Sequence, residues 1–360
     1  MKTVFPKSFG AGIGLLVFSV WSVAAELPTL RILNWSEYID VDPNTDEALP
    51  IAQRSPTLRE FQKLFNCKIE YSEFETDKEA LRLLAQTPGY YDIIIIDGDS
   101  AEGLIGADLA FAPKTERIPN YKYIDPVLLK TFGGGGVPYL YGSTGILYRK
   151  DKYPQGIRSW NQFYDPAKPY PVSVFAEPRS AFAQALVAMG ADPVNPSEQD
   201  IRAAAKFLKA SVDSERIRLV TSDIELIQES VLNGDVGAAV IYSGDALTVL
   251  DEHENVGFAL PDEGFEIFLD CMLLAKGSSN PDLAYSFINH VLSPEVHARL
   301  ARELFYACPN ERSLEILETT APDQLSNPAI YPKAEQRSRG YPLVLEDALV
   351  DRLGKILFKM

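Results

Sequence analysis

The first half of the chain alternates short apolar runs with segments whose apolar residues repeat at helical spacing. Residues 30–33, 68–71 and 91–96 are predicted to be strands. In residues 58–65 the apolar positions recur every three or four residues, as on one face of a helix, and residues 79–85 are predicted to form a second helix. This order of strands and helices predicts a parallel sheet covered by helices, with functional loops at the carboxyl ends of its strands.

A second series of the same kind follows beyond residue 170. Its predicted strands are 172–175 and 238–242, and its predicted helices are 181–189, 201–210 and 224–232. The two series together predict an α/β fold with two lobes.

The stretch between the two series is rich in glycine. Four glycines at 133–136 lack the lysine and the Ser/Thr that complete a phosphate-binding loop, so we interpret them as a flexible turn. Residues 137–149 predict two strands joined by a crossing of small residues at 142–145. Because this crossing lies between the lobes, residues 141–146 are a candidate hinge.

The first 25 residues are typical of a secretory signal peptide. Residues 1–7 carry two lysines and no acid, residues 8–20 are almost wholly apolar or small, and small residues precede position 26. We predict cleavage after Ala25 and export, to a bacterial periplasm. The alternative is an uncleaved anchor, although the apolar stretch is shorter than the ~20 residues that a membrane span needs.

The charge of the chain favours cationic ligands. Fifty acidic and 34 basic residues give a formal net charge of −16. This surplus repels phosphate backbones, so we expect no nucleic-acid partner.

The sequence contains few signatures of an enzyme or a metal site. His253, His290 and His297 have no zinc-binding spacing, and each is predicted to lie on a helix surface. Residues 142–145 are one residue short of a GxSxG motif, and paired carboxylates are frequent by chance in so acidic a chain. We therefore expect no catalysis, no metal and no cofactor.

Acidic and aromatic side chains occur together at predicted strand ends. They are Trp35, Glu37 and Tyr38 after the first strand, Tyr242 and Asp245 after the strand at 238–241, and Phe268 with Asp270 in the run 265–270. An aromatic face attracts a cation, and a carboxylate accepts charge-assisted hydrogen bonds from an ammonium group. Several such pairs suit an extended dication. The alternative is that the rings form the rim of the core and the acids are solvated.

Residues 33–39, Leu-Asn-Trp-Ser-Glu-Tyr-Ile, resemble the opening motif of the periplasmic spermidine/putrescine-binding proteins that feed ABC transporters. Further segments similar to that family, in the family's order, are 91–95, 138–146, 261–264 with 269–270, 305–310 and 330–332. The resemblance covers nearly the whole mature chain. It implies a type II periplasmic binding protein with two lobes, each a central sheet flanked by helices, and a ligand cleft between them. We expect residues 26–145 with 266–312 to form lobe 1, and residues 146–265 with 313–360 to form lobe 2.

The resemblance also implies roles for individual residues. Trp35 and Tyr38 wall the ligand, while Glu37, Asp245 and Asp270 receive ammonium groups. The complete set of expected ligand-binding residues is Trp35, Ser36, Glu37, Tyr38, Asp97, Asp99, Glu177, Ser180, Tyr242, Asp245, Phe268, Asp270 and Tyr306.

Three features depart from the family pattern. Ser180 stands where members of the family commonly carry a second glutamate, and residues 97–99 place two aspartates in a loop that usually carries a serine and an aromatic residue. The chain is also longer between Tyr38 and Phe61, which adds residues 42–57 near the expected cleft edge.

The resemblance implies a monomeric solute-binding protein that takes up a polyamine in the cleft and presents it to an inner-membrane ABC permease for import. Three alternatives stay open. In the first alternative, the ligand is a monoamine or an amino acid such as 4-aminobutyrate, since Arg179 beside Glu177 offers a partner for a ligand carboxylate. The protein is a ligand-sensing subunit, or it is a secreted hydrolase that uses a carboxylate pair.

Overall fold

The computed structural model describes residues 26–132, 135–343, 345 and 348–359. The predicted signal peptide and the first two glycines of the predicted turn lie outside the described residues. The strands are β1 (Thr29–Trp35), β2 (Lys68–Phe74), β3 (Ile93–Asp97), β4 (Ala110–Phe111), β5 (Val137–Arg149), β6 (Val172–Val174), β7 (Ile217–Val220), β8 (Ala238–Tyr242), β9 (Val256–Ala259), β10 (Phe265–Ala275) and β11 (Gly340–Tyr341).

Helices cover the sheet and connect its strands. They are α1 (Ile51–Arg54), α2 (Pro56–Phe65), α3 (Asp77–Gln86), α4 (Gly98–Gly106), α5 (Pro126–Phe132), α6 (Trp160–Tyr164), α7 (Pro178–Ala188), α8 (Glu198–Asp213), α9 (Ile224–Asn233), α10 (Ser243–Glu252), α11 (Pro281–Val291), α12 (Pro294–Leu304), α13 (Glu311–Thr320), α14 (Pro322–Ser326), α15 (Ala334–Arg337) and α16 (Ala348–Phe358). Each strand and helix predicted in the two series is present, so the predicted α/β architecture is confirmed.

Two long strands, β5 and β10, lie side by side in the middle of the sheet. The strand order is β2-β1-β3-β10-β5-β8-β6-β7, with β4 and β11 paired to β10 and β9 paired to β5. On one side β1 runs parallel to β2 and β3, and on the other side β6 runs parallel to β7 and β8. The antiparallel strands β5 and β10 therefore join two parallel halves.

The prediction of two strands separated by a small-residue crossing at 142–145 is wrong, because β5 continues through this segment. Its small residues make room for rings. A Cβ atom added at Gly142 would lie 2.6 Å from the Phe268 ring and 2.8 Å from the Tyr306 ring. A glycine is therefore needed at position 142 because a side chain there would clash with these two rings, and the strand itself is not interrupted.

Three apolar clusters form the core. One consists of residues from 146 to 256 and from 341 to 358, including Trp160 and Phe182. The other two draw on residues from 30 to 330, with Phe61 in one and Leu273 in the other. Alternate residues of β3 enter these two clusters, so the strand is buried on both faces and its run of four isoleucines has no polar interruption.

His297 is buried, which corrects the prediction that it lies on a helix surface. It shares one face of α12 with Val296 and Leu300, and all three are nearly inaccessible to solvent. Its Nε2 atom contacts the backbone oxygen of Tyr139. Burial lowers the pKa of His297 to about 4, so the ring is a neutral part of the core.

Asp40 holds the additional segment 42–57 to the rest of the molecule. Its carboxylate is 1% exposed and accepts hydrogen bonds from Ser55 Oγ (2.6 Å) and Thr57 Oγ1 (2.8 Å). Arg299 Nε, on α12, donates a third at 2.8 Å. The buried carboxylate is thus both hydrogen-bonded and paired with a cation, as a charge removed from water requires.

Replacing this carboxylate tests its contribution to stability. Asp40→Asn is expected to lower the free energy of unfolding by about 2 to 3 kcal/mol, because it leaves Arg299 facing a neutral, mismatched group. Urea denaturation measures the change. In the control, Glu315→Gln breaks the exposed pair with Arg312 and should leave the free energy of unfolding nearly unchanged. Equal effects of the two substitutions would contradict a structural role for Asp40.

Candidate ligand-binding site

Several expected site residues follow the carboxyl ends of parallel strands, as the topology requires. Trp35 ends β1, Asp97 ends β3 and Tyr242 ends β8. Asp97 accepts hydrogen bonds from the backbone N–H groups of Asp99 (3.1 Å) and Ser100 (3.0 Å), which caps α4. The prediction of a loop at 97–99 is therefore wrong, since Asp97 ends β3 and caps α4, which begins at Gly98.

Phe268 and Asp270 lie inside β10 and not at a strand end as predicted. Side chains alternate between the two faces of a strand, so Glu266, Phe268 and Asp270 share one face. Asp270 pairs with Asp97 of β3, and Phe268 pairs with Gly142 of β5. β10 thus carries site residues between the two halves of the sheet.

Asp270 forms the first buried acidic group with Tyr38. The Tyr38 hydroxyl donates a 2.7 Å hydrogen bond to Asp270 Oδ2, and both side chains are more than nine-tenths buried. The Tyr38 ring packs edge to face against Tyr139 and Tyr306. Burial raises the pKa of Asp270 to about 7, and the tyrosine hydrogen bond only partly opposes this rise.

Asp245 forms a second acidic group with Tyr306. The Tyr306 hydroxyl lies 3.4 Å from Asp245 Oδ2 and donates a weak hydrogen bond to it. Burial raises the pKa of Asp245 to about 7, and the negative charge of Glu37 adds to the rise. Glu37 itself is exposed, with a left-handed backbone (φ 55°) whose N–H donates to Glu73 Oε1.

A row of aromatic rings connects these groups. The ring centroids of Phe175 and Tyr242 are 4.8 Å apart, and those of Tyr242 and Phe268 are 5.4 Å apart. The row continues from Phe268 to Tyr306 at 6.0 Å and from Tyr306 to Tyr38 at 5.2 Å. Such a row offers a cation several π faces and keeps water away from the neighbouring acids.

A third group of acids lies where α3, α4 and α7 begin. Glu177 Oε1 accepts hydrogen bonds from both Nε and Nη2 of Arg179. Burial raises the pKa of Asp77 to about 8, with Asp97 and Glu177 adding to the rise and Arg179 opposing it. Acids from both halves of the sheet therefore lie close enough to influence one another.

The remaining expected site residues have local partners. The Trp35 ring packs 4.4 Å from Phe74, and Ser36 Oγ donates to Glu75 Oε1 at 2.6 Å. Ser180 is buried within α7, where its hydroxyl accepts a hydrogen bond from Gln184 Nε2. Ser180 is thus satisfied inside its own helix.

Sequence reasoning missed two acids, Glu266 and Asp77. Glu266 precedes Phe268 and Asp270 at a spacing of two, so an uninterrupted strand at 265–275 would have placed it on the same face. Asp77 follows the carboxyl end of β2, where the rule that identified Trp35 also applies.

In the part of the chain that the structure describes, no group of His, Cys, Asp or Glu side chains has the arrangement of a metal site. Among the described residues, no helix has the length and apolar character to cross a membrane.

Comparisons with known proteins agree with this architecture. Residues 57–329 match the family model for bacterial extracellular solute-binding proteins. The putrescine-binding periplasmic protein PotF of Escherichia coli K12 is 28% identical over 98% of this chain and 96% of its own length. Among solved structures, the spermidine/putrescine ABC transporter substrate-binding protein PotD of Streptococcus pneumoniae superimposes with a TM-score of 0.77 at 22% identity, over 92% of this chain and 98% of its own.

A second structure, the Atu4243-GABA receptor, has a TM-score of 0.70 at 18% identity, over 92% of this chain and 96% of its own. Both structures share the fold, and the resemblance to spermidine/putrescine-binding proteins noted in the sequence is confirmed. On the match over 57–329, the chain belongs to the bacterial extracellular solute-binding proteins, which bind ligands and catalyse no reaction.

Proposed function

We propose that this protein binds a polyamine between two lobes and presents it to an inner-membrane ABC permease for import. The observation that carries the proposal is a pair of acids, the buried Asp270 and the half-buried Asp245, each held by a tyrosine hydroxyl beside a row of aromatic rings. The putrescine-binding name of the relative PotF supports the same ligand class.

The two acids lack the positive charge and the additional hydrogen-bond donors that an ammonium ion would supply. A tyrosine hydroxyl gives Asp270 one hydrogen bond and no positive charge, whereas a carboxylate has about four acceptor positions. An ammonium group brings three N–H donors and the missing charge. Its contact with the carboxylates offsets the cost of keeping them away from water, and the neighbouring rings of Phe268 and Tyr306 contribute cation–π attraction.

We infer that the lobes are the two parallel halves of the sheet and that β5 and β10 form the connection between them. Tyr38 and Asp97 come from one half, and Tyr242 and Asp245 come from the other. A ligand that contacts both sets stabilises the closed arrangement more than the open one. Leu317 and Ile330 pack into the clusters of the first half, which favours assigning residues 313–330 to lobe 1 instead of lobe 2.

We further propose that residues 1–25 direct export to the periplasm. The relative PotF is named as a periplasmic protein, and the family model describes extracellular proteins. At a net charge of −16 the protein attracts cations over a distance, so its association with a polyamine should slow as ionic strength rises.

An amino acid such as 4-aminobutyrate is a second candidate ligand. Arg179 provides a cation near the acids, and Trp35 Nε1 is buried without an acceptor among the described residues. However, Arg179 is already bonded to Glu177 and is influenced by Asp77 and Asp97. A ligand carboxylate would compete with these three acids, and for this reason we favour the polyamine. A sensory subunit would share the same binding step and differ only in its partner.

A calorimetric titration tests the proposed ligand class. The mature chain, stripped of ligand, is titrated with putrescine, cadaverine, spermidine and 4-aminobutyrate at low and high salt. We expect one-to-one binding of at least one polyamine, weakened by salt. Binding of 4-aminobutyrate alone would reassign the ligand class, and no binding of any of the four would contradict the proposal.

Removing the charge of Asp270 should weaken polyamine binding strongly. We expect Asp270→Asn to cost more than about 2 kcal/mol of binding free energy, or roughly 30-fold in Kd, because a buried charged partner is lost. The control Asp323→Asn makes the same change of net charge at an exposed position. Equal affinities of the two variants would contradict the assignment of Asp270 to the site.

The raised pKa values of Asp245 and Asp270 predict that polyamine affinity increases with pH. A carboxyl group with a pKa of about 7 is mostly protonated at pH 6 and mostly ionised at pH 8, while an alkyl amine with a pKa near 10 stays charged throughout. Binding requires the ionised form, so it releases protons and should tighten about tenfold per carboxyl group over this range. Calorimetry in two buffers of different ionisation enthalpy counts the protons. A Kd independent of pH in the wild-type protein would refute this coupling.

A further inference from the structure

Glu266 is a buried carboxyl group that the site described above does not use. It is 8% exposed, and Thr144 Oγ1 donates a 3.1 Å hydrogen bond to its Oε2. Within the described residues it takes part in no salt bridge. Burial raises the pKa of Glu266 to about 8, and the charges of Glu177, Asp99 and Asp97 contribute to the rise. Glu266 therefore lies where acids from both halves of the sheet converge.

The unpartnered hydroxyl of Tyr341 is a second, independent observation that points to a ligand at this place. Tyr341 pairs with Glu266 in the parallel ladder between β11 and β10, which places both side chains on the same face. It is 6% exposed, and its Oη has no hydrogen-bond partner in the described part of the chain. Burial raises the pKa of Tyr341, and the charge of Glu266 adds to the rise. A buried hydroxyl is normally satisfied, and an N–H donor between Tyr341 and Glu266 would satisfy it.

The spacing along β10 sets the length of the ligand. Glu266 and Asp270 are four residues apart on one strand face, which separates their Cα atoms by about 13 Å. Phe268 lies midway between them, in contact with Tyr242 and Tyr306. A four-carbon diamine, whose two nitrogens are separated by only about half this distance, contacts both acids only when it is fully extended and both carboxylates lean toward it. A linear triamine, with terminal nitrogens about twice as far apart as those of the diamine, spans most of it.

We propose that Glu266 and Tyr341 form an ammonium subsite at the opposite end of the aromatic row from Asp270, and that the protein prefers a linear triamine to a four-carbon diamine. The inference rests on the proposed function, since it extends the same cleft. The charge distribution fits it: Arg179 is bonded to Glu177 and is influenced by Asp77 and Asp97, whereas no ion pair among the described residues includes Glu266. In this proposal, Glu266 in the central strand β10 determines which length of polyamine binds best.

The test compares affinities for putrescine and spermidine in the full mature chain. We expect the wild-type protein to bind spermidine at least tenfold more tightly. Glu266→Gln keeps the size of the side chain and should reduce this ratio at least tenfold. Asp270→Asn should weaken both ligands, and the exposed control Asp323→Asn should weaken neither. Tyr341→Phe, which removes the unsatisfied hydroxyl, should also lower the ratio, by a few-fold.

The outcomes separate this inference from the proposed function. If neither amine binds the wild-type protein, both are wrong. If putrescine binds but the wild-type protein does not prefer spermidine, or Glu266→Gln leaves the preference intact, only the subsite is wrong. A measurement on the wild-type protein guards against a variant that fails to fold. An eight-carbon diamine, whose charges are as widely spaced as the terminal charges of spermidine, should bind more tightly than putrescine, and the reverse order would overturn the subsite.

Discussion

A carboxylate that leaves water must find a positive charge or several hydrogen-bond donors, and this constraint governs the acids of the proposed ligand site. Asp270 and Glu266 are buried and Asp245 is half-buried, and each accepts one hydrogen bond from the hydroxyl of a tyrosine or a threonine. Asp40 shows the alternative solution in the same chain, because Arg299 supplies its charge permanently. Asp40 therefore has a cationic partner within the protein, whereas the other three acids have only a hydroxyl. This difference separates the structural carboxylate from those proposed to bind a ligand.

The two central strands, β5 and β10, hold the acids that have only a hydroxyl partner in fixed positions. β10 carries Glu266, Phe268 and Asp270 on one face, and β5 supplies Thr144 as well as the space at Gly142 that the rings occupy. The same strands join the two parallel halves of the sheet. The proposed ligand contacts and the proposed connection between lobes therefore share residues, so a cation held against β10 would contact the part of the fold about which the lobes would move.

The sequence predicted the secondary structure that depends on short-range patterns. It did not predict features that depend on contacts with distant segments of the chain, such as the length of β10 and the burial of His297. Apolar periodicity located the strands and helices of both halves, and the resemblance at 33–39 implied that Trp35 and Tyr38 are site residues. Glu266 was missed because the run 265–270 was interpreted as ending at Asp270, whereas pairing with β3 and β5 extends the strand to Ala275. His297 was assigned to a surface because its burial depends on the Tyr139 carbonyl, which lies on another element of the fold.

Placing acids on a strand, and not on loops, has a consequence for how ligands are distinguished. A loop acid such as Glu37 is exposed and can follow a ligand of any length, so it contributes attraction with little discrimination. Glu266 pairs with Tyr341 of β11 and Asp270 pairs with Asp97 of β3, and the rise per residue of the strand fixes their separation. A ligand that fails to reach the second carboxylate leaves it buried and without a cation, which costs more than a missing surface contact. The proposed discrimination by length therefore follows from the rigidity of β10 together with the burial of Glu266 and Asp270 on one of its faces.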